Sequence, residues 1–211
     1  FSGLDQNSTR LSLSDYKDKK LVLYFYPKDN TPGCTAQSCN LTENYSELQN
    51  KGFDVLIEAL ALLPSATLWL AGEGPEQANL SVLAERLGVL DRLEFLGWQD
   101  DLRPYLRRAD VFVCSSRIEP LGNVVLEAWR HGCPLVAARA AGPTELITDG
   151  VNGSLCDRED AAGMAQAIMG LLNSSSQRQH YAGAGQDAYA AGFSRAQVIA
   201  RYLQFFDEIK T

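Results

Sequence analysis

The sequence predicts an α/β fold, a parallel sheet with helices on both faces. Three observations carry that expectation. Leu21–Tyr26 has the length and composition of a strand buried on both faces, Val111–Cys114 reads as a buried strand, and Leu135–Ala138 as a strand. Between such runs lie longer stretches in which apolar residues recur every three or four positions, the spacing of one helix face. The two patterns alternate along most of the chain, as parallel strands joined by helical crossovers require.

Residues 1–20 are polar and turn-rich, and Ser12–Asp15 suggests the edge of a short strand or a capped turn. Leu21–Tyr26, bounded by Lys20 and Pro27, then reads as the first core strand. Pro27–Gly33 is a loop by composition, and Cys34–Gln49 has helical character with Thr31 or Thr35 as caps. Phe53, Leu56, Ile57, Leu60 and Leu63 mark one face of a helix that ends before Pro64. Strands follow at 67–71, 92–96, 111–114 and 135–138, with a short one near Ser154. Helices are expected at 76–87, 101–107, 122–131 and 143–147, then at about 159–173, 175–190 and 194–209. Leu21–Tyr26 would join the sheet through a crossover of two helices leading to Thr67.

A chain of 211 residues that is 45% hydrophobic can bury a core as one large domain or two small ones. Its net charge of −7 argues against nucleic acid or an anionic membrane as the main partner, since basic patches hold both. Apolar runs such as Phe53–Leu63 are too short to span a bilayer, and no signal-peptide pattern precedes Phe1, so a cytoplasmic protein is expected. Five cysteines without framework spacing fit a reducing compartment, and Cys114, Cys133 and Cys156 read as buried small hydrophobes. Asn-x-Ser/Thr triplets at Asn7, Asn40, Asn44, Asn79, Asn152 and Asn173 carry no weight without secretion. His131 and His180 lack companions at metal-ligand spacing, and no metal is expected.

The stretch with the most chemistry in it is Glu119-Pro-Leu-Gly-Asn-Val-Val-Leu-Glu127. It follows a strand, passes through a glycine loop and opens a helix with Val124, Val125, Ala128 and Trp129 on one side. A helix start of that kind points backbone N–H groups and a positive dipole end at open space, where a phosphate would be held. Glu119 at the loop mouth and Glu127 in the helix place two acceptors at different distances from it. The alternative is that Glu119 only caps the helix and Glu127 is a solvated face residue.

The run Ser116–Trp129 resembles the Glu-x7-Glu motif of family 4 retaining GT-B glycosyltransferases. Trp69–Pro75, Phe95–Gly97, Ala109–Phe112 and Ala140–Ile147 come in the order of that family's donor domain, so the resemblance covers residues 51–211. It implies the Rossmann-like C-terminal half of a GT-B protein. By the same resemblance Glu127 would accept from the ribose hydroxyls of a nucleotide sugar, and Glu119 from the donor sugar. The N–H groups of Gly122, Asn123 and Val124 would face the distal phosphate, and Lys51 would neutralise the pyrophosphate. Gly72 and Gly74 flank Glu73 in a tight loop that serves either the turn or the nucleotide. Arg117 would lie near the base or the phosphate, or pair with Glu119. The resemblance implies no dedicated nucleophile, no Mg²⁺ and no cofactor besides the nucleotide diphosphate sugar itself.

Residues 1–56 resemble a different family, peroxiredoxin Q, also called bacterioferritin comigratory protein. The resemblance is strongest over Tyr24–Cys39, where Pro27, Thr31 and Cys34 match the loop of the peroxidatic thiol and Cys39 the resolving thiol. A helix N-terminus lowers a thiol pKa, and the thiolate is what attacks a peroxide. Nothing after residue 56 matches the half of that family carrying its later arginine, and the strand ending in Gly-Arg that normally opens the donor domain is absent before Lys51-Gly52. The chain therefore divides into a peroxiredoxin-like fragment, 1–50, packed into the same domain, and a donor-binding domain, 51–211. Three readings follow. The first is the donor half of a retaining hexosyltransferase, with transfer impaired by an absent acceptor domain. The second is a thiol peroxidase using Cys34 and Cys39, and the third is a recombined or engineered chimera without native activity. The nucleotide, the sugar, the acceptor and the oligomeric state stay open.

Overall fold

The computed structural model describes residues 2–4, 10–12, 52–72, 76–97 and 99–208. The chain separates into two compact units, Phe1–Asn44 and Tyr45–Thr211. In the first, β1 (Ser2–Leu4) pairs antiparallel with β2 (Arg10–Ser12), Gly3 opposite Leu11. That hairpin is not written in the sequence as alternating apolar residues, because each strand is only three residues long. The expected strand Leu21–Tyr26, and Thr31, Cys34 and Cys39, lie outside the described residues.

The second unit follows the alternation read from the sequence. It runs α1 (Phe53–Ala61), β3 (Leu68–Ala71), α2 (Gln77–Arg86), β4 (Leu93–Gly97), α3 (Arg103–Arg108), β5 (Phe112–Cys114) and α4 (Asn123–Arg130). Then come β6 (Leu135–Ala138), α5 (Ala141–Leu146), β7 (Ser154–Cys156), α6 (Ala161–Asn173), α7 (Ser175–Gly192) and α8 (Arg195–Glu208). All described pairings in this unit's strands are parallel: β3 with β4, and β5, β6 and β7 in that order with Val113 opposite Val136 and Ala137 opposite Leu155. The expected single sheet is thus described as two parallel sheets. Leu21–Tyr26, expected as a further strand of that sheet, lies outside the described residues.

β6 shows why the sheet is covered on both faces. All four of its residues are buried, and successive side chains point to opposite sides. Val136 and Ala138 join a core with Leu56, Ile57 and Leu60 of α1, Leu70 of β3, Leu93 of β4 and Met164, Ile168 and Leu171 of α6. Leu135 and Ala137 join a second core with Val125, Ala128 and Trp129 of α4 and Leu106 of α3. The first core draws on both parallel sheets, so one apolar cluster holds them together. Helix α1 buries Leu56, Ile57 and Leu60 of the face its spacing selects, with Ile57 fully enclosed and Leu60 at 3% exposure, while Phe53 is partly buried.

The helix ends follow capping chemistry. Asp160 accepts from Gly163 N–H at 2.8 Å to start α6, and Ser174 accepts from Gln177 N–H at 3.2 Å to start α7. Asn152 is buried, takes the Thr148 N–H at 2.8 Å and offers its carbonyl to Trp129 Nε1 at 2.9 Å. Asn152 is therefore a packing residue, a role its triplet did not announce.

Cys114, Cys133 and Cys156 are buried thiols. Burial pushes Cys133 up from 9.0 to about 12 and Cys156 to about 11. An alkylating reagent at neutral pH is expected to spare both in the folded protein and to label them after denaturation, read by peptide mass spectrometry. Because the folded values lie above the unfolded ones, the stability tied to these neutral thiols is complete below pH 9.0 and is lost as pH rises towards about 12.

Candidate functional site

In open α/β sheets ligands meet the carboxyl ends of the strands. Here that rim is built from the segments leaving β5, β6 and β7 and from the starts of α1 and α4. Beyond Cys114 the chain turns through Ser115 and Ser116, both buried, and reaches Arg117, half-buried Glu119 and Gly122. Gly122 adopts φ +69°, which glycine tolerates best, and caps α4. A Cβ there would meet Leu146 Cδ1 at 2.8 Å and the Gly142 backbone at 3.1 Å. Gly142 is equally constrained: its N–H donates to the Glu119 carbonyl at 2.8 Å, and a Cβ would run into the Gly122 nitrogen and the Leu121 backbone. The loops after β5 and β6 therefore touch backbone to backbone, and both glycines are needed for it.

The Glu119 carboxylate accepts from Gly122 N–H at 3.2 Å. This is a capping contact, so Gly122 N–H is already engaged. The N–H groups of Asn123 and Val124, the next two residues of α4, have no partner among the described residues, and their residues lie at the surface or partly exposed. Glu127 sits one turn further along α4 and is exposed. The structure thus brings Glu119, Gly122, Asn123, Val124 and Glu127 to one helix start, with α4 offering two free donors and two carboxylates nearby.

Arg117 pairs with two acids that the sequence reading did not name. Its guanidinium makes paired bonds to Asp54 at 2.9 and 2.7 Å, and its Nε donates to Glu159 at 3.0 Å. Burial tends to raise the Asp54 pKa, but the hydrogen bonds and charge of Arg117 together with backbone hydrogen bonds from Val55 and Asp54 outweigh it and hold the carboxyl below its ordinary value. The Arg117 pKa is raised, first by the bond to Asp54. Asp54 lies in the first turn of α1, where it also favours the helix dipole. Sequence reasoning missed Asp54 and Glu159, because they stand 63 and 42 residues from Arg117 and no local pattern links them.

Arg117, Arg139, Asp157, Arg158 and Glu159 line a cleft of about 570 Å³ on this rim. Arg139 pairs with Asp149 at 2.9 Å and with Asp157 at 3.5 Å. Gly52, which caps α1 at φ +70°, brings that helix start against the rim, since a Cβ there would collide with the Ser115 carbonyl. Lys51, its expected partner for the pyrophosphate, lies outside the described residues, as does Gly74. Gly72 has φ +132° and its N–H donates to Gly97 O at 2.8 Å, so backbone geometry alone accounts for a glycine there. Among the described residues no cluster of His, Cys, Asp or Glu suits a metal ion, and no helix is long and apolar enough to cross a membrane.

Residues 43–174 match the model of the family described as glycosyl transferases group 1, and residues 1–60 match the AhpC/TSA family. The chain is 48% identical over 157 residues to lipopolysaccharide core biosynthesis glycosyltransferase LpsE of Rhizobium meliloti, covering 74% of this chain and 46% of that protein. It resembles the crystal structure of Anabaena Alr3699/HepE in complex with UDP, with TM-score 0.68 and 31% identity, over 76% of this chain and 45% of that one. It also resembles the C-terminal domain of the group 1 glycosyl transferase LpcC from Francisella tularensis, with TM-score 0.64 and 26% identity, over 70% of this chain and 82% of that one. The chain spans about half the length of the curated relatives it matches. With a GT-B half-fold of parallel sheets flanked by helices and a family match over more than half its residues, the chain belongs to the glycosyl transferases group 1 family.

Proposed function

We propose that residues 51–211 are the donor-binding half of a retaining glycosyltransferase that takes a hexose from a nucleotide diphosphate sugar. The observation that carries this is the start of α4, where two unpartnered N–H groups, Asn123 and Val124, open beside Glu119 and ahead of Glu127. A diphosphate is the ligand such a dipole end favours, and two carboxylates suit the hydroxyls of a ribose and a sugar. The UDP complex of a structural relative supports the same ligand class. Glu127 would take the ribose hydroxyls. Glu119 would leave Gly122 N–H for the donor sugar, which frees that third N–H for the phosphate. Arg117, held in place by Asp54 and Glu159, would present positive charge to the diphosphate, together with Lys51. In such a site charge building on the leaving phosphate is stabilised by fixed dipoles rather than by a nucleophilic side chain. Binding of the donor, rather than turnover, is the property this half carries by itself.

A thermal-shift screen over UDP, GDP and their hexose conjugates tests the reading. A ligand bound only by the folded state stabilises it by about 2.7 kcal/mol at a hundredfold excess over its dissociation constant. One nucleotide series is expected to raise the melting temperature while free hexoses do not, and the absence of a shift with every nucleotide would remove the reading.

A second reading rests on the AhpC/TSA match over residues 1–60, which spans Pro27, Thr31, Cys34 and Cys39. It supports a chain recombined or engineered from two families, with a thiol peroxidase motif ahead of the donor domain. Peroxide consumption with a thiol reductant that disappears in Cys34→Ser would favour it.

A further inference from the structure

Two acids share the Arg117 guanidinium, and they hold it differently. Asp54 takes Nη1 at 2.9 Å and Nη2 at 2.7 Å, a paired bond between half-buried side chains. It is anchored as well, since Asp54 stands in the first turn of α1, where the next residues Val55, Leu56 and Ile57 are buried. Glu159 takes Nε, at 3.0 Å, and its side chain is 67% exposed. Bidentate bonds between a carboxylate and arginine are strong, whereas a single ion pair open to water contributes little. Of the two, the Glu159 bond is the one that can be exchanged.

Glu159 is also held against its own preference. Among the described residues it is the one non-glycine at positive φ, +65°. A side chain there crowds the backbone, so the conformation persists where neighbouring contacts hold it. The Arg117 bond is one such contact, and the Asp160 carboxylate, fixed to Gly163 N–H at 2.8 Å, is another. Giving up the first releases strain, so it costs less than losing an ion pair in a relaxed loop.

Glu159 and Arg117 line the same cleft as Arg139 and Arg158. A guanidinium presents five N–H donors in a planar fork, so it can keep one anion on its Nη end while taking another on Nε. A phosphate oxygen that reached Nε would find a carboxylate already there, and two anions on one donor repel. The carboxylate must leave for the phosphate to bind.

We propose, resting on the donor reading above, that Glu159 is a positioning residue that competes with the diphosphate for Arg117 Nε. It holds the arginine before the donor enters and is displaced by it, while Asp54 keeps its paired bond throughout. The two acids on one arginine therefore act on donor affinity with opposite sign.

Isothermal titration of UDP and GDP into the full chain and its variants tests this. Glu159→Gln keeps the side-chain length and loses the charge, and is expected to bind the nucleotide about two- to fivefold more tightly than the wild type. Glu159→Gly, which suits a positive φ, is expected to gain as much. A Glu159 needed only to hold its loop would lose affinity in both. Asp54→Asn is expected to weaken binding about tenfold, because the arginine loses its anchor. Arg117→Gln is expected to weaken binding too, and Glu159→Gln added to it is expected to restore none of the loss. Asp157→Asn removes a charge of the same sign from the same cleft, where it pairs with Arg139, and is expected to gain less than Glu159→Gln. Unchanged or lower affinity in both Glu159 variants, an equal gain in Asp157→Asn, or a gain that persists without Arg117 would each overturn the proposal and leave the donor reading standing. Heat from neither nucleotide with any of these proteins would remove both.

Discussion

Trp129→Ala is expected to destabilise the donor domain by about 3–5 kcal/mol, as removal of a fully buried large aromatic side chain does. Trp129 is 1% exposed, and it ties three parts of the fold together. Its ring fills the core between α4 and the inner face of β6, in contact with the cluster of Leu135, Ala137 and Ile147. Its Nε1 donates to the Asn152 carbonyl in the loop before β7. On α7, Gly185 leaves the space the indole occupies, since a Cβ there would collide with Cδ1 and approach Nε1 to 2.8 Å. Truncation therefore opens a cavity and strands a buried carbonyl at once. Urea denaturation should show a lower midpoint with an unchanged slope. Trp129→Phe, which keeps much of the volume but loses the N–H, is expected to cost less, about 1–3 kcal/mol.

Gly142→Val is expected to lower affinity for the nucleotide diphosphate sugar by about tenfold or more, a loss of at least roughly 1.4 kcal/mol. Gly142 touches no ligand in this account. A side chain on it would push into the Gly122 nitrogen, the Leu121 carbon and the Glu119 carbonyl, at 2.9 Å for the last. Those are backbone atoms, and backbone cannot swing aside as a side chain can, so the loop that aims α4 must move. Displacing the N–H groups by even about 1 Å takes them out of hydrogen-bond range. Calorimetric titration of the variant beside the wild type reads the loss. Its melting temperature in the absence of ligand separates a misplaced loop from a lost fold.

Much of this architecture is legible in the residues. The periodicity of Phe53, Leu56, Ile57 and Leu60 gives α1, and the apolar run at Leu135–Ala138 gives a strand, which the structure buries on both faces, because burial dictates residue type most strongly where no solvent face remains. The start of α4 is legible for a similar reason: a glycine two residues before a valine pair, after a strand, permits few other conformations. Boundaries shift by a residue or two where helix ends are set by backbone geometry, as at Ala141, whose helix begins ahead of the Pro143 that the pattern marks. Long-range partners are not legible. Nothing near Arg117 announces Asp54 or Glu159, and nothing near Gly142 announces that Glu119 and Gly122 press on it. Such pairs arise from the parallel topology, which places the ends of distant strands side by side. The exposed apolar half of α8 was read as one more helix, because amphipathic spacing tells which residues share a face and not whether that face is covered.

The account turns on α4 offering a diphosphate cradle with Glu127 as the ribose acceptor. Isothermal titration of UDP and GDP into the wild type and into Glu127→Ala measures this directly. One nucleotide is expected to bind the wild type and to lose about ten- to a hundredfold in affinity in Glu127→Ala, the worth of a charged hydrogen bond of roughly 1.5–3 kcal/mol. Equal affinity of both proteins for that nucleotide, or heat from neither nucleotide with the folded wild type, would contradict it.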